Sequence, residues 1–119
     1  MTILAIFNQK GGVGKTTTTA NLAAAMAREG MEPLMIDLDP QAHLTAISGV
    51  EVSSEQSIFA FYRDQKPLTE LVTPVANGVN LIPSHVELAK VDTLYAKTGS
   101  IIRKLRAALH DEQLAAAGI

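Results

Sequence analysis

The stretch Lys10-Gly11-Gly12-Val13-Gly14-Lys15-Thr16-Thr17 (KGGVGKTT) decides how the remainder of this 119-residue chain is read. Before it, residues 2–7 (TILAIF) form a short apolar run rich in β-branched side chains, the pattern of a buried strand. After it, residues 16–29 are rich in alanine and carry Leu22 and Met26 at helical spacing, with Gly30 as a C-terminal stop. A strand, a glycine-rich turn and a helix N-terminus in succession build an anion site. Glycines admit positive φ and let backbone N–H groups approach an oxyanion closely. The helix contributes unpaired N–H donors and the positive end of its dipole. Lys15 adds a point charge suited to β- and γ-phosphates, and the Thr16 hydroxyl stands where a Mg²⁺ ligand is needed. The competing reading is a glycine-rich turn that binds nothing, and the joint presence of the spacing, the lysine and the threonine argues against it.

Outward from this loop, the punctuation is that of alternating strands and helices. Residues 33–38 (PLMIDL) read as a second buried strand, closed by Asp39-Pro40. Ser53-Ser54-Glu55-Gln56 has the form of a capping box, with Ile58, Phe59, Phe61 and Tyr62 behind it suggesting a short helix. Residues 67–72 suggest another turn or two of helix. Asn77-Gly78 is a turn signal, and residues 79–82 are a third strand stopped by Pro83. Residues 100–114 place Ile101, Ile102, Leu105, Ala108 and Leu109 on one helical face, with Arg103, Lys104, Arg106 and Glu112 mostly elsewhere. This alternation predicts an α/β fold, a parallel sheet with covering helices. No repeat, low-complexity tract or linker divides the chain, so one domain is expected over residues 1–119.

Composition excludes several classes. The formal net charge is −2, which argues against a generically basic nucleic-acid binder. Hydrophobic residues make up 47% of the chain, enough for a packed core and too many for intrinsic disorder. There is no cysteine, hence no disulfide framework, thiolate metal site or cysteine nucleophile. The apolar run at residues 3–7 is too short for a signal peptide or a membrane span, so a cytoplasmic protein is expected.

The loop departs from the ordinary pattern G-x-x-x-x-G-K-[ST], because Gln9 stands where its first glycine belongs and an extra lysine, Lys10, opens the loop. KGGVGKTT is instead the deviant Walker A signature, and with it the chain resembles the ParA/MinD family of ATPases. The resemblance extends through Asp37-Leu38-Asp39-Pro40-Gln41, similar to the family's D-x-D-P-Q motif, and more weakly through residues 79–84 (VNLIPS). It implies a P-loop NTPase-like three-layer sandwich, mostly parallel, with helices on both faces. It also implies ATP or ADP with Mg²⁺ on Lys10, Gly11, Gly12, Val13, Gly14, Lys15, Thr16 and Thr17, and a homodimer formed on ATP binding. Lys10 would reach in trans to the phosphates held by the other subunit, much as an arginine finger does; its alternative is a solvated loop lysine. Asp37 and Asp39 stand two apart at a strand end, where Mg²⁺ and an attacking water must sit. The residues alone do not choose between them. By similarity, Asp39 would orient the water and Asp37 would hold the Mg²⁺ shell; the alternative for Asp37 is to cap the next segment.

Three departures stand out. Family members often follow D-P-Q with Gly-Asn, whereas Ala42-His43 follow here, and His43 reads as a surface histidine beside a turn. Leu88-Ala89-Lys90-Val91-Asp92 faintly matches the guanine-reading N-K-x-D, but Ala89 occupies the amide position. No further apolar strand ends in aspartate, since Asp111 falls inside the last helix, so no Walker B motif is visible. The expectation is the N-terminal part of a P-loop ATPase domain that stops before its Walker B strand. The resemblance implies a ParA-type partition ATPase acting with non-specific DNA and a regulator protein. Alternatives are a membrane-associated regulator of the MinD kind, a synthase like cobyrinic acid a,c-diamide synthase, or a truncated chain that binds phosphate without hydrolysis. Nothing in these residues indicates a membrane.

Overall fold

A computed structural model describes residues 13–90 and 100–111, with side chains from residue 17 onward in the first segment and at 103–110 in the second. The expected strand at 2–7, Lys10, Gly11, Gly12 and Asp92, the side chains of Val13, Gly14, Lys15 and Thr16, and the helical expectation beyond Asp111 lie outside the described residues.

Helix α1 spans Val13–Arg28, beginning three residues before the alanine-rich stretch suggested. Its interior is built on Ala20, Ala23, Ala24, Ala25 and Ala27, the residue type that costs least to hold in a helix. Gly30 ends it with φ +85°: its N–H donates to the Ala27 carbonyl (3.1 Å) and the Met31 N–H to the Met26 carbonyl (3.1 Å). These are the two bonds of a Schellman cap, which needs a residue tolerant of the left-handed region.

Strand β1 (Leu34–Ile36) pairs in parallel with β3 (Asn80–Ile82), matching Leu34 to Asn80, Met35 to Leu81 and Ile36 to Ile82. The ladder is extended by Asn80 N–H to the Pro33 carbonyl (3.0 Å) and Asp37 N–H to the Ile82 carbonyl (3.1 Å). A short strand β2 (Thr73–Pro74) pairs antiparallel with the other side of β3, giving the order β1-β3-β2. The sheet is therefore mixed, where alternation of elements predicted only parallel pairing. The reversal is local: Asn77 (φ 64°) and Gly78 (φ 79°) supply the two consecutive positive φ values of a type I′ hairpin turn. Pro74 falls in the outermost of the described strands, where the missing N–H is tolerated.

Alternation along the strands sorts side chains to the two faces. Met35 and Leu81 pack with Ala23 of α1, Val79 and Leu44 of helix α2 (His43–Ile47). Leu34, Ile36 and Ile82 pack on the other face with helix α3 (Ile58–Asp64), Leu68, Leu71, Leu88 and helix α4 (Ser100–Asp111). Helices thus cover both faces, and the chain is an α/β protein.

The helix start near residue 54 differs from expectation. Ser53 makes no capping bond; a single 3₁₀ turn (Ser54–Gln56) intervenes, and Ser57 is the N-cap of α3, accepting from Phe59 N–H at 3.3 Å. The reason is tertiary: Ile58 N–H is held by the Pro83 carbonyl at 2.8 Å beyond β3, which fixes where the helix can begin. In α4, Leu105, Ala108 and Leu109 face the core as expected. Lys104 also turns inward. Its Nζ lies 5.2 Å from the Phe61 ring centroid and donates to the Tyr62 carbonyl at 3.3 Å, and this partial burial pulls its pKa below that of an ordinary lysine.

Candidate functional site

The first turn of α1 contains Val13, Gly14, Lys15 and Thr16 of the KGGVGKTT motif, with Thr17 exposed just behind them. The leading N–H groups of a 16-residue helix have no intrahelical partner, so this terminus carries the donors and dipole that the loop sequence calls for.

Asp37 and Asp39 emerge at the C-terminal end of β1, the side of a parallel sheet where ligands bind. Their environments differ sharply. Asp37 is 4% exposed, and both its oxygens are engaged: Oδ1 accepts the Asp39 N–H (3.1 Å), and Oδ2 accepts the Thr45 N–H (3.0 Å) and the Thr45 hydroxyl (2.7 Å). Asp39 keeps its carboxylate near the surface, with 23% of the side chain exposed. There Oδ1 accepts the Gln41 N–H (2.9 Å), and Oδ2 lies 3.5 Å from Nδ1 of the half-exposed His43. His43 is thus a surface histidine beside a turn, as expected, with Asp39 as its neighbour.

Two residues to which the sequence reading assigned no role complete this corner. Thr45, in α2, sits against Asp37, and its hydroxyl oxygen accepts the Ser84 N–H at 2.9 Å. Ser84, two residues past β3, donates its hydroxyl to the Asp39 carbonyl at 2.6 Å. The signal for Ser84 was present as the last residue of VNLIPS, the segment of weak family likeness; for Thr45 nothing in the spacing marked it. Ala42 occupies the left-handed region (φ 56°, ψ 36°) just ahead of α2, a conformation that glycine would adopt without strain. Among the described residues, no group of three or more His, Asp or Glu side chains is arranged to hold a metal ion by itself.

Comparison with known proteins decides the family. The AAA domain family AAA_31 matches residues 1–114, nearly the whole chain. This chain belongs to that family. It is 45% identical over 111 residues to the chromosome-partitioning ATPase Soj of Thermus thermophilus, an alignment covering 92% of this chain and 41% of that protein. Among solved structures, it resembles cobyrinic acid a,c-diamide synthase from Mycobacterium smegmatis with bound ATP analogue and magnesium (TM-score 0.79, 29% identity, 90% of this chain and 44% of that one). It also resembles an aspartate-to-alanine variant of Cyanothece McdA in complex with ATP (TM-score 0.75, 31% identity, 87% and 40%). The chain spans about two-fifths of the length of these relatives. The ParA-type resemblance carried by KGGVGKTT and D-x-D-P-Q therefore holds, and the likeness covers a P-loop α/β fold. No helix among the described residues is long and apolar enough to cross a membrane.

Proposed function

We propose that this chain forms the nucleotide-binding part of a ParA-type partition ATPase, in which ATP binding assembles a homodimer and hydrolysis dissolves it. The observation that carries the reading is that the second half of KGGVGKTT, from Val13 onward, forms the first turn of α1, so the free N–H groups of a helix N-terminus fall within the motif. Lys15 would contact the β- and γ-phosphates, with Gly11, Gly12, Val13, Gly14 and Thr17 lending backbone donors. Lys10 would act across the dimer on the partner's nucleotide. The partition relative, at 45% identity, lies nearer in sequence than the synthase at 29%, which favours the partition role over the amidotransferase-like one. Non-specific DNA and a regulator protein are the partners this reading names, in the cytoplasm.

For Mg²⁺, the donor set fits a hard cation bound largely by phosphate and water. The Thr16 hydroxyl would supply the direct protein ligand. Asp37 already accepts three hydrogen bonds at 4% exposure, which suits holding a metal-bound water better than ligating directly. When bound, the ion neutralises charge on the phosphates. Asp39, with an accessible carboxylate on a fixed main chain, would orient the attacking water.

The test compares Lys15→Ala with Lys10→Ala in the full-length protein. Lys15→Ala should weaken ATP binding by ~2–4 kcal/mol, because a charge-assisted contact to phosphate is lost. Lys10→Ala should leave monomer binding nearly intact while abolishing turnover and the ATP-dependent dimer in size-exclusion chromatography. An unchanged ATP dissociation constant for Lys15→Ala would sink the phosphate-loop assignment, and equal binding losses for both would sink the role in trans.

A further inference from the structure

Asp39 is held by its main chain from both sides, and the groups that hold it are bound to each other. Its N–H donates to Asp37 Oδ1 (3.1 Å), and its carbonyl accepts the Ser84 hydroxyl (2.6 Å) together with the Ala42 N–H (2.8 Å). The Ser84 N–H donates to Thr45 Oγ1 (2.9 Å), and the Thr45 hydroxyl donates to Asp37 Oδ2 (2.7 Å). These contacts close a ring through Asp37, Asp39, Ser84 and Thr45.

The proton positions in that ring are determinate. A backbone N–H can only donate, so Thr45 Oγ1 must accept from Ser84 and spend its single hydrogen on the Asp37 carboxylate. A carbonyl can only accept, so the Ser84 hydroxyl must donate to Asp39. Asp37, Thr45 and Ser84 are 4%, 4% and 2% exposed, and among the described residues no buried side-chain polar atom lacks a partner. A buried network with every member satisfied has one arrangement, and removing a member leaves a costly unpaired group. The Asp39 carboxylate itself stands outside the ring, partly exposed.

We infer that Thr45 and Ser84 are positioning residues that fix the Asp39 main chain, and through it the direction of the Asp39 carboxylate. The inference rests on the reading of Asp39 as the water-orienting group. A group that must place one water for in-line attack tolerates little displacement, since a shift of about 1 Å from the productive geometry costs on the order of 100-fold in rate. Neither Thr45 nor Ser84 is assigned to the nucleotide or to Mg²⁺, so their substitution should act on turnover rather than on ATP affinity.

Thr45→Val keeps the shape of the side chain and removes the hydroxyl, leaving the Ser84 N–H unpaired. In the full-length protein, kcat for ATP should fall about 10- to 100-fold while the ATP dissociation constant moves less than about threefold. Thr45→Ser restores the hydroxyl and should return kcat to within about threefold of the parent. Ser84→Ala, which removes one donor from the other side of Asp39, gives the same split and serves as the readout should Thr45→Val unfold. Asp39→Ala is measured beside them. If it is inactive while Ser84→Ala and Thr45→Val turn over normally, the positioning role is wrong and the role of Asp39 stands. If Asp39→Ala turns over normally, the reading of Asp39 is wrong and the inference falls with it. Loss of ATP affinity in step with kcat, or failure of Thr45→Ser to rescue, also overturns it, since either marks a general structural defect.

Discussion

The two faces of the sheet are built on different principles. On one, α3 and α4 enclose a thick apolar layer: Ile58, Leu68, Leu71 and Ile82 are wholly buried, and Phe61 and Tyr62 meet edge-to-face at 4.9 Å between centroids. On the other, the layer under α1 and α2 consists of Ala23, Met35, Leu44, Val79 and Leu81. Beside it lies a groove of about 190 Å³ between α1, α2 and the β2–β3 turn, with Ile47 60% exposed nearby. The polar ring around Asp39 joins the C-terminal ends of β1 and β3 to α2, the helix on this thinner side. Small side chains and a short helix let backbone come close enough for hydrogen bonds to substitute for apolar packing. Rigidity in this chain therefore comes from bulk on one face and from directed polar contacts at the edge of the other.

Leu68→Ala and Leu44→Ala apply the same chemistry to each face. Leu68 is fully enclosed among large side chains, so truncation leaves a cavity that cannot collapse, and a loss of about 3–5 kcal/mol is expected in chemical denaturation. Leu44 packs in a thinner layer that includes Ala23, on a helix of five residues, and its loss should come to about 2–3 kcal/mol, because the short helix can settle inward. Equal losses would mean that both faces are packed to the same tightness. Lys104→Met keeps the stem against Phe61 while removing the cation above the ring and the donor to the Tyr62 carbonyl; about 0.5–1 kcal/mol should be lost, measured the same way. The smallest effect has the opposite sign. Ala42→Gly relieves the left-handed strain ahead of α2, offset in part by the greater entropy of glycine in the unfolded chain, so a gain of about 0.5 kcal/mol should appear as a raised melting temperature.

How much of this was legible follows the range over which each signal acts. Helix α1, the stop at Gly30 and the strand ended by Pro83 were readable because propensity, glycine and proline act locally. The hairpin was only half readable. Asn77-Gly78 marked the turn, but Thr73–Pro74 is two residues long and contains a proline, which hides a strand from any periodicity argument. The start of α3 was misplaced because Ile58 answers to the Pro83 carbonyl, a partner 25 residues away in sequence. At the site, the phosphate loop was plain in its letters and the aspartate pair stood out on its strand. Their different environments did not, since Thr45 reaches Asp37 from a helix 8 residues on, and Ser84 lies 45 residues from Asp39, a distance closed through the parallel pairing of β1 with β3.

Those separations also set an order in time. The β2–β3 hairpin closes around the three residues Ala76–Gly78, a local event of the microsecond class. The contact between Asp39 and Ser84 must instead close a loop of 45 residues that includes α2, α3 and the hairpin, and loop-closure entropy opposes it until the β1–β3 ladder is in place. The Asp39–Ser84 contact should thus form only after that ladder does.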